Sequence, residues 1–300
     1  MKIKSVSIIG LGLLGSSLGL ALKKKNKAII TRGYDSDPAT RSKAIELDLV
    51  DEVHHNSAEA ARDADLVILC VPLGAMKSVA SEIAPFLSAK TIISDVGSSK
   101  QSVTDDLTRT LPECTVIPAH PVAGTEQSGP EAGFPTLFEN RWCILTPPKG
   151  TDHTALLAVT KFWEDLGARV EIMDPKHHDL VLAVTSHIPH LIAYTIVGTA
   201  SDLEEVTRSE VIKYSAGGFR DFTRIAASDP TMWRDVFLNN KSAVLEMLGR
   251  FTEDLTALQR AIRSEDGETL HDLFSRTREI RRGIIEEGQD DDAPDFGREH

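Results

Sequence analysis

SVSIIGLGLLGSSLGLALK, residues 5–23, decides the fold. Ser5 to Ile9 is a short β-branched apolar run, Gly10, Gly12 and Gly15 form a G-x-G-x-x-G turn, and a helical pattern follows from Ser16 to Lys25. Strand, tight turn and helix in this order open a dinucleotide-binding βαβ unit. Gly10 permits the turn out of the strand, Gly12 lets a pyrophosphate approach the backbone, and Gly15 lets the helix pack closely on the strand. The first N–H groups of the helix then face the phosphates. A glycine triplet alone occurs in many turns, but here an acid stands at the matching distance. Asp35, twenty positions after Gly15, closes a second strand from Ala28 to Tyr34. Its carboxylate suits the adenosine ribose hydroxyls and repels a 2′-phosphate, so NAD is expected over NADP. Arg32 and Arg41 lie near enough in sequence to contact a phosphate if Asp35 turned away. Leu13 and Leu14 at the helix opening, with Val71 and Pro72 at the end of a later strand, complete the expected cofactor-binding set.

Outward from this unit the alternation continues. A helix is expected from Pro38, strands over Leu66 to Val71, Thr91 to Val96 and Thr115 to Ile117, and a helix near Ser99 to Leu111. Such alternation means a parallel sheet covered on both faces. Trp142 to Leu145 and Arg169 to Met173 read as further strands around a helix from about Thr154 to Leu166. After Asp174 and Pro175 the texture changes to long helical periodicities, Leu180 to Val197, Met232 to Leu258 and Glu268 to Glu286. The expected fold is α/β, a Rossmann-type doubly wound parallel sheet over 1–174 followed by an all-α domain over 175–287, with an acidic, disordered tail over 288–300.

Of the 300 residues 41% are hydrophobic and 26% charged, which excludes a disordered or collagen-like chain. The net charge of -12 is half tail: from Glu286 onward seven acids face only Arg298. An acidic body lacks the basic footprint that nucleic acid or an anionic membrane needs, so neither is expected as partner. Cys70, Cys114 and Cys143 are odd in number and widely spaced, which supports no disulfide framework and suits a reducing cytoplasm. The apolar N-terminus is not read as a signal peptide, because four glycines punctuate it and three lysines follow at once.

Ligands of doubly wound sheets sit beyond the carboxyl ends of the strands. DVGSSK places Ser98 and Lys100 in that crevice, and AHPVAGTE places His120 and Glu126 there. A loop histidine just past a strand is a reasonable general base, because its ordinary pKa is near working pH; a histidine that merely braces the loop is the other reading. SHIPH puts His187 and His190 on one helix face, with His178 nine residues before His187. No HExxH or cysteine partner accompanies them, so no metal is expected. In GGFRDFTRIAASDPTMW, residues 217–233, Arg220 and Arg224 could grip carboxylates with their forks, or pair with Asp221 on their own helix.

Together GLGLLGSSLGLALK, DVGSSK, HPVAGTEQSGPEAGFPTLFENRWCILTP, SHIPHLIAY and GGFRDFTRIAASDPTMWRD resemble the prephenate and arogenate dehydrogenase family, over about Ile3 to Ile285. The resemblance implies NAD-linked oxidative decarboxylation of prephenate to 4-hydroxyphenylpyruvate, or of arogenate to tyrosine. It implies that His120 takes the proton of the substrate's ring hydroxyl and that Ser98 stands beside that hydroxyl. His187 and Arg224 would bind or orient the carboxylates, with Arg220, Glu126, His178 and Trp233 in the pocket. It also implies a homodimer through the helical domain. Arg220 stands where relatives can carry lysine, and no ACT domain or fused mutase is expected after the last helix. The loop ending in ENRWCILTPP looks closest to broad-specificity cyclohexadienyl dehydrogenases, which favours activity on both substrates. The rivals are a 3-hydroxyacid-type dehydrogenase, whose lysine base is replaced here by SHIPH, and a non-catalytic NAD-sensing module.

Overall fold

The computed structural model describes residues 2–26, 28–125, 127–202, 210, 213–214 and 217–286. Glu126 and the acidic tail lie outside the described residues. Contacts gather residues 1–244 into one compact unit and 245–300 into a second.

In the first unit β1 (Ser5–Ile9), β2 (Ile30–Tyr34), β3 (Glu52–Val53), β4 (Leu66–Leu69), β5 (Ile92–Asp95) and β6 (Thr115–Val116) form one parallel sheet of order β3-β2-β1-β4-β5-β6. This is the strand order of a dinucleotide-binding doubly wound sheet. The central strands β1, β4 and β5 are buried on both faces. Val6, Ile8, Leu66 and Ile68 join one core with Leu18, Leu22, Phe138 and Trp163, while Ile9, Val67, Leu69 and Ile93 join another with Met76, Ile83 and Leu107. The period-two alternation along each strand feeds both layers. The first layer is covered by α1 (Leu13–Lys25) and α6 (His153–Asp165), the second by α3 (Ser57–Ala61), α4 (Leu73–Ile83) and α5 (Gln101–Thr110); α2 (Pro38–Glu46) follows β2.

A second sheet was not expected. β7 (Ala119–Pro121), β8 (Trp142–Leu145) and β9 (Arg169–Ile172) form a separate sheet in which β7 and β8 run antiparallel and β8 and β9 parallel. His120 is therefore a strand residue opposite Ile144, not a loop residue. Pro118 and Pro121 disguise the strand, but β7 lies at the edge, where a missing N–H costs the ladder nothing.

Beyond Ile172 every described element is helical. The expected helix over Leu180 to Val197 is instead α7 (Pro175–Leu182), a π-helical turn (Ala183–His187) and α8 (Ile188–Ser201). Pro189 has no N–H for the turn before it, which favours this break. α9 (Gly217–Thr223) and one tighter turn (Arg224–Ala227) precede α10 (Pro230–Asn239). The expected continuous helix from Met232 is broken at Asn240, after which α11 (Lys241–Arg263) begins. The second unit holds the rest of α11 and α12 (Gly267–Glu286), where Asp266 caps α12 by accepting from the Thr269 N–H at 3.0 Å.

Candidate active site

The glycine turn has the geometry its sequence requires. Gly10 has φ of +100°, and a Cβ there would lie 2.4 Å from the Cys70 carbonyl oxygen; a Cβ on Gly15 would lie 1.9 Å from that of Gly10. Both positions are closed to any side chain. A Cβ at Gly12 would meet no protein atom, so this is the open face of the cradle. α1 starts at once with half-buried Leu13 and Leu14 and has no side-chain cap, leaving its first N–H groups for a ligand. Val71 and Pro72 leave β4 beside Gly10, the Val71 side chain 3.1 Å from the built Cβ. Asp35 is fastened rather than free to turn away: Oδ2 accepts from the Leu11 N–H at 2.8 Å and Oδ1 from the Asp37 N–H at 2.9 Å. Arg32 is occupied by Glu52 and the Arg62 carbonyl, and Arg41 by the Asp35 carbonyl.

β5 and β7 bring the second cluster together. Lys100, expected in the crevice, is instead completely buried; its Nζ donates to Asp95 and, at 2.8 Å, to the Ala119 carbonyl. Asp95 in turn accepts from the N–H groups of Gly97 and Ala119. The buried pair thus holds the main chain on both sides of Ala119, the residue before His120. Desolvation pushes the Lys100 ammonium down and the Asp95 carboxyl up.

His120 is 7% exposed, and its Nδ1 lies 2.8 Å from Nε2 of His178. Nδ1 of His178 lies 2.9 Å from Oδ1 of Asp179. Burial first, then the neighbouring His178, Lys100 and His187, pushes His120 well below the usual histidine range. His187, inside the π-helical turn, is completely buried and pushed down to about 4, chiefly by burial. Its Nδ1 accepts from Asn240 Nδ2 at 3.1 Å, so Nε2 carries the proton. The Ser98 main-chain carbonyl lies on the far side and favours the charged ring, without forming a well-aligned bond to Nε2. Trp233 packs edge-on against His187 and stacks on His190 with centroids 3.6 Å apart. The Arg224 charge lies close enough to lower His190, a smaller effect than burial. Among the described residues, the buried His187 Nε2 and the neighbouring Trp233 Nε1 have no hydrogen-bond partner. Buried orphan donors in one cluster point to a polar ligand.

Two family profiles cover the chain: "Prephenate dehydrogenase, nucleotide-binding domain" matches residues 18–172, and "Prephenate dehydrogenase, dimerization domain" matches residues 174–276. The sequence is 44% identical over 281 residues to the cyclohexadienyl dehydrogenase of Zymomonas mobilis, covering 94% of this chain and 96% of that one. It is 33% identical to the prephenate dehydrogenase of Bacillus subtilis, covering 93% of this chain and 76% of the other. The chain belongs to the prephenate dehydrogenase family. Among solved structures, prephenate dehydrogenase from A. aeolicus, in complex with hydroxyphenyl propionate and NAD+, superposes with a TM-score of 0.88 at 36% identity, covering 95% of this chain and 99% of that one.

In this family member the structure brings together Ser98, His120, His178, His187, Trp233 and Arg224. Arg220 is exposed on α9, and no hydrogen bond or ion pair ties it to the cluster. Sequence reading missed Asp95, Asp179 and Asn240 as members, and it set His190 beside His187 without giving it a role. The His178-Asp179 dipeptide was the available signal. Nothing local marks Asn240, whose Nδ2 also donates to the Asp179 carbonyl at 2.7 Å.

Proposed function

We propose that the protein oxidatively decarboxylates prephenate to 4-hydroxyphenylpyruvate, and arogenate to tyrosine, with NAD. The carrying observation is that one edge of one unit holds both the glycine cradle and a buried histidine cluster with orphan donors. Gly10, Gly12, Gly15, the first N–H groups of α1, Asp35, Val71 and Pro72 would hold the cofactor, which supplies the hydride acceptor when bound.

The chain's own residues do the rest. His120, neutral and dry, takes the proton of the ring hydroxyl, and Ser98 hydrogen-bonds that oxygen. Oxidation leaves a ketone conjugated through the ring to the carbon bearing the carboxylate, so carbon dioxide departs into an electron sink and the ring becomes aromatic. His187 Nε2–H and Trp233 Nε1–H offer neutral donors, and Arg224 offers a charge, to the carboxylates. Burial strengthens the contacts of His120, His187 and Trp233, while Arg224 reaches in from an exposed position.

A homodimer and a cytoplasmic setting belong to the same reading. The matching second profile is described as a dimerization domain, and the last two helices expose Leu255, Ile262, Phe274 and Ile280. The segment Pro175–Ser201 is long and apolar enough to cross a membrane, but it carries the buried polar residues His178, Asp179 and His187. Analysis of the reaction mixture tests the chemistry: NADH, carbon dioxide and 4-hydroxyphenylpyruvate should form in equal amounts from prephenate. NADH without carbon dioxide would reject decarboxylation.

A further inference from the structure

The ring-to-ring contact between His120 and His178 continues into a carboxylate, and that chain fixes where the protons sit. Both oxygens of Asp179 already accept from main-chain donors, Oδ1 from the Lys100 N–H at 2.7 Å and Oδ2 from the Gln101 N–H at 2.9 Å. Towards His178 the carboxylate is therefore an acceptor, and His178 Nδ1 must donate. A neutral His178 then has a lone pair on Nε2, which faces His120 Nδ1 at 2.8 Å. His120 Nδ1 must carry the hydrogen, and His120 Nε2 is left bare.

We propose that His178 and Asp179 are positioning residues that hold His120 in its Nδ1–H tautomer, leaving Nε2 as the proton acceptor, and that share the positive charge His120 gains in turnover. This rests on the dehydrogenase reading above. In the step, the substrate O–H bond breaks and a His120 Nε2–H bond forms, while the carbinol carbon loses a hydride to NAD and becomes a ketone. The imidazolium so formed donates more strongly through Nδ1 to His178, which in turn leans on the Asp179 carboxylate. Without that partner a cation would form in a dry site whose other nearby acid, Asp95, is already paired with Lys100. The titratable groups facing His120 are His178 from α7, Lys100 from the segment before α5, and His187 from the π turn, with Asp95 and Asp179 the nearby acids. Burial pushes both His120 and His178 below the usual histidine range, which favours the neutral rings that the hydrogen-bond chain requires.

The arrangement has a mechanical side as well. Asp179 caps α5 from 78 residues away in sequence, so the carboxylate that orients His178 is itself held by two main-chain donors. Asn240 restrains its main chain through the Asp179 carbonyl and reaches His187 with the same amide. A base set on such supports keeps one ring orientation.

The test has two arms. In the first, nitrogen-15 NMR of the histidine side chains in the ligand-free, full-length protein reads the tautomers directly. His120 and His178 should both be protonated at Nδ1; an Nε2-protonated His120 would overturn the proposal whether or not the enzyme reading holds. In the second, His178→Leu should lower kcat about a hundredfold or more while the substrate KM and NAD affinity stay within about threefold. His178→Gln, whose amide oxygen can still accept from His120 Nδ1, should recover about tenfold of that loss. Asp179→Asn added to His178→Leu should cost little more, because the two residues act in series. A kcat within about threefold of wild type for His178→Leu, no recovery by glutamine, or fully additive losses would overturn it. If His178→Leu does not fold, the glutamine variant and the tautomers still decide. A wild-type protein that fails to form NADH would instead count against the dehydrogenase reading alone.

Discussion

Replacing Lys100 by methionine removes one half of an ion pair that is completely buried on both sides. The methionine fills most of the aliphatic space, so the loss is mainly electrostatic. Asp95 keeps the N–H groups of Gly97 and Ala119 but loses the ammonium paired with it, and the Ala119 carbonyl loses its 2.8 Å donor. Breaking a buried pair by removing one partner costs about 3–5 kcal/mol. The size should depend on pH, with a definite sign. Burial already raises the Asp95 carboxyl, and Lys100 is the leading influence lowering it. Without the lysine the folded-state pKa rises further above the ordinary 3.8, so the unfolded chain ionises first. Stability is then lost as pH rises between those two values, by up to about 1.4 kcal/mol per pH unit. Urea unfolding of Lys100→Met should therefore show a deficit of about 3–5 kcal/mol near pH 8 that shrinks towards pH 5. A loss under about 1 kcal/mol, or one that does not change with pH, would refute the view that this pair anchors the strand carrying His120.

Asp35→Ala should raise the kcat/KM for NADP relative to that for NAD, since the acid that repels a 2′-phosphate is gone; an unchanged ratio would show the adenosine pocket misread. Arg224→Ala should raise the substrate KM about ten- to a hundredfold, the scale of a lost charged hydrogen bond, and a wild-type KM would remove Arg224 from carboxylate recognition. His187, lowered from 6.5 to about 4 in the folded protein, takes its proton first in the unfolded chain. Its contribution is complete above the unfolded value and is lost as pH falls through that window, by about 3 kcal/mol at most. His187→Asn should flatten the acid side of the stability curve; an unchanged slope would contradict this.

The parts of the molecule legible in sequence are those set by local chemistry. The glycine turn, the acid at Asp35 and the strands of the parallel sheet other than the short, exposed β3 are local patterns, because a strand buried on both faces is apolar throughout and a positive φ needs glycine. The second sheet was not legible, because β7 pairs with residues some two dozen positions away and its two prolines read as loop. Lys100 was misplaced for a related reason. A lysine between Ser99 and Gln101 looks exposed until Asp95 and Ala119 are brought around it. The break at Asn240 lies within unbroken apolar periodicity. It goes with tertiary partners, Asp179 and His187, that no window of sequence contains. Sequence brought His120 and His187 into one proposal, but the carboxylate behind them came only from the coordinates.

The most direct measurement is NADH formation by wild-type protein and His120→Asn side by side, with prephenate and with arogenate, together with NAD binding by both proteins. The expected result is turnover by the wild type on at least one substrate, and a rate about a hundred- to ten-thousandfold lower for the variant, which still binds NAD normally. No NADH from the wild type with either substrate, or undiminished turnover by the variant, would contradict the assignment of His120 as the base of this site.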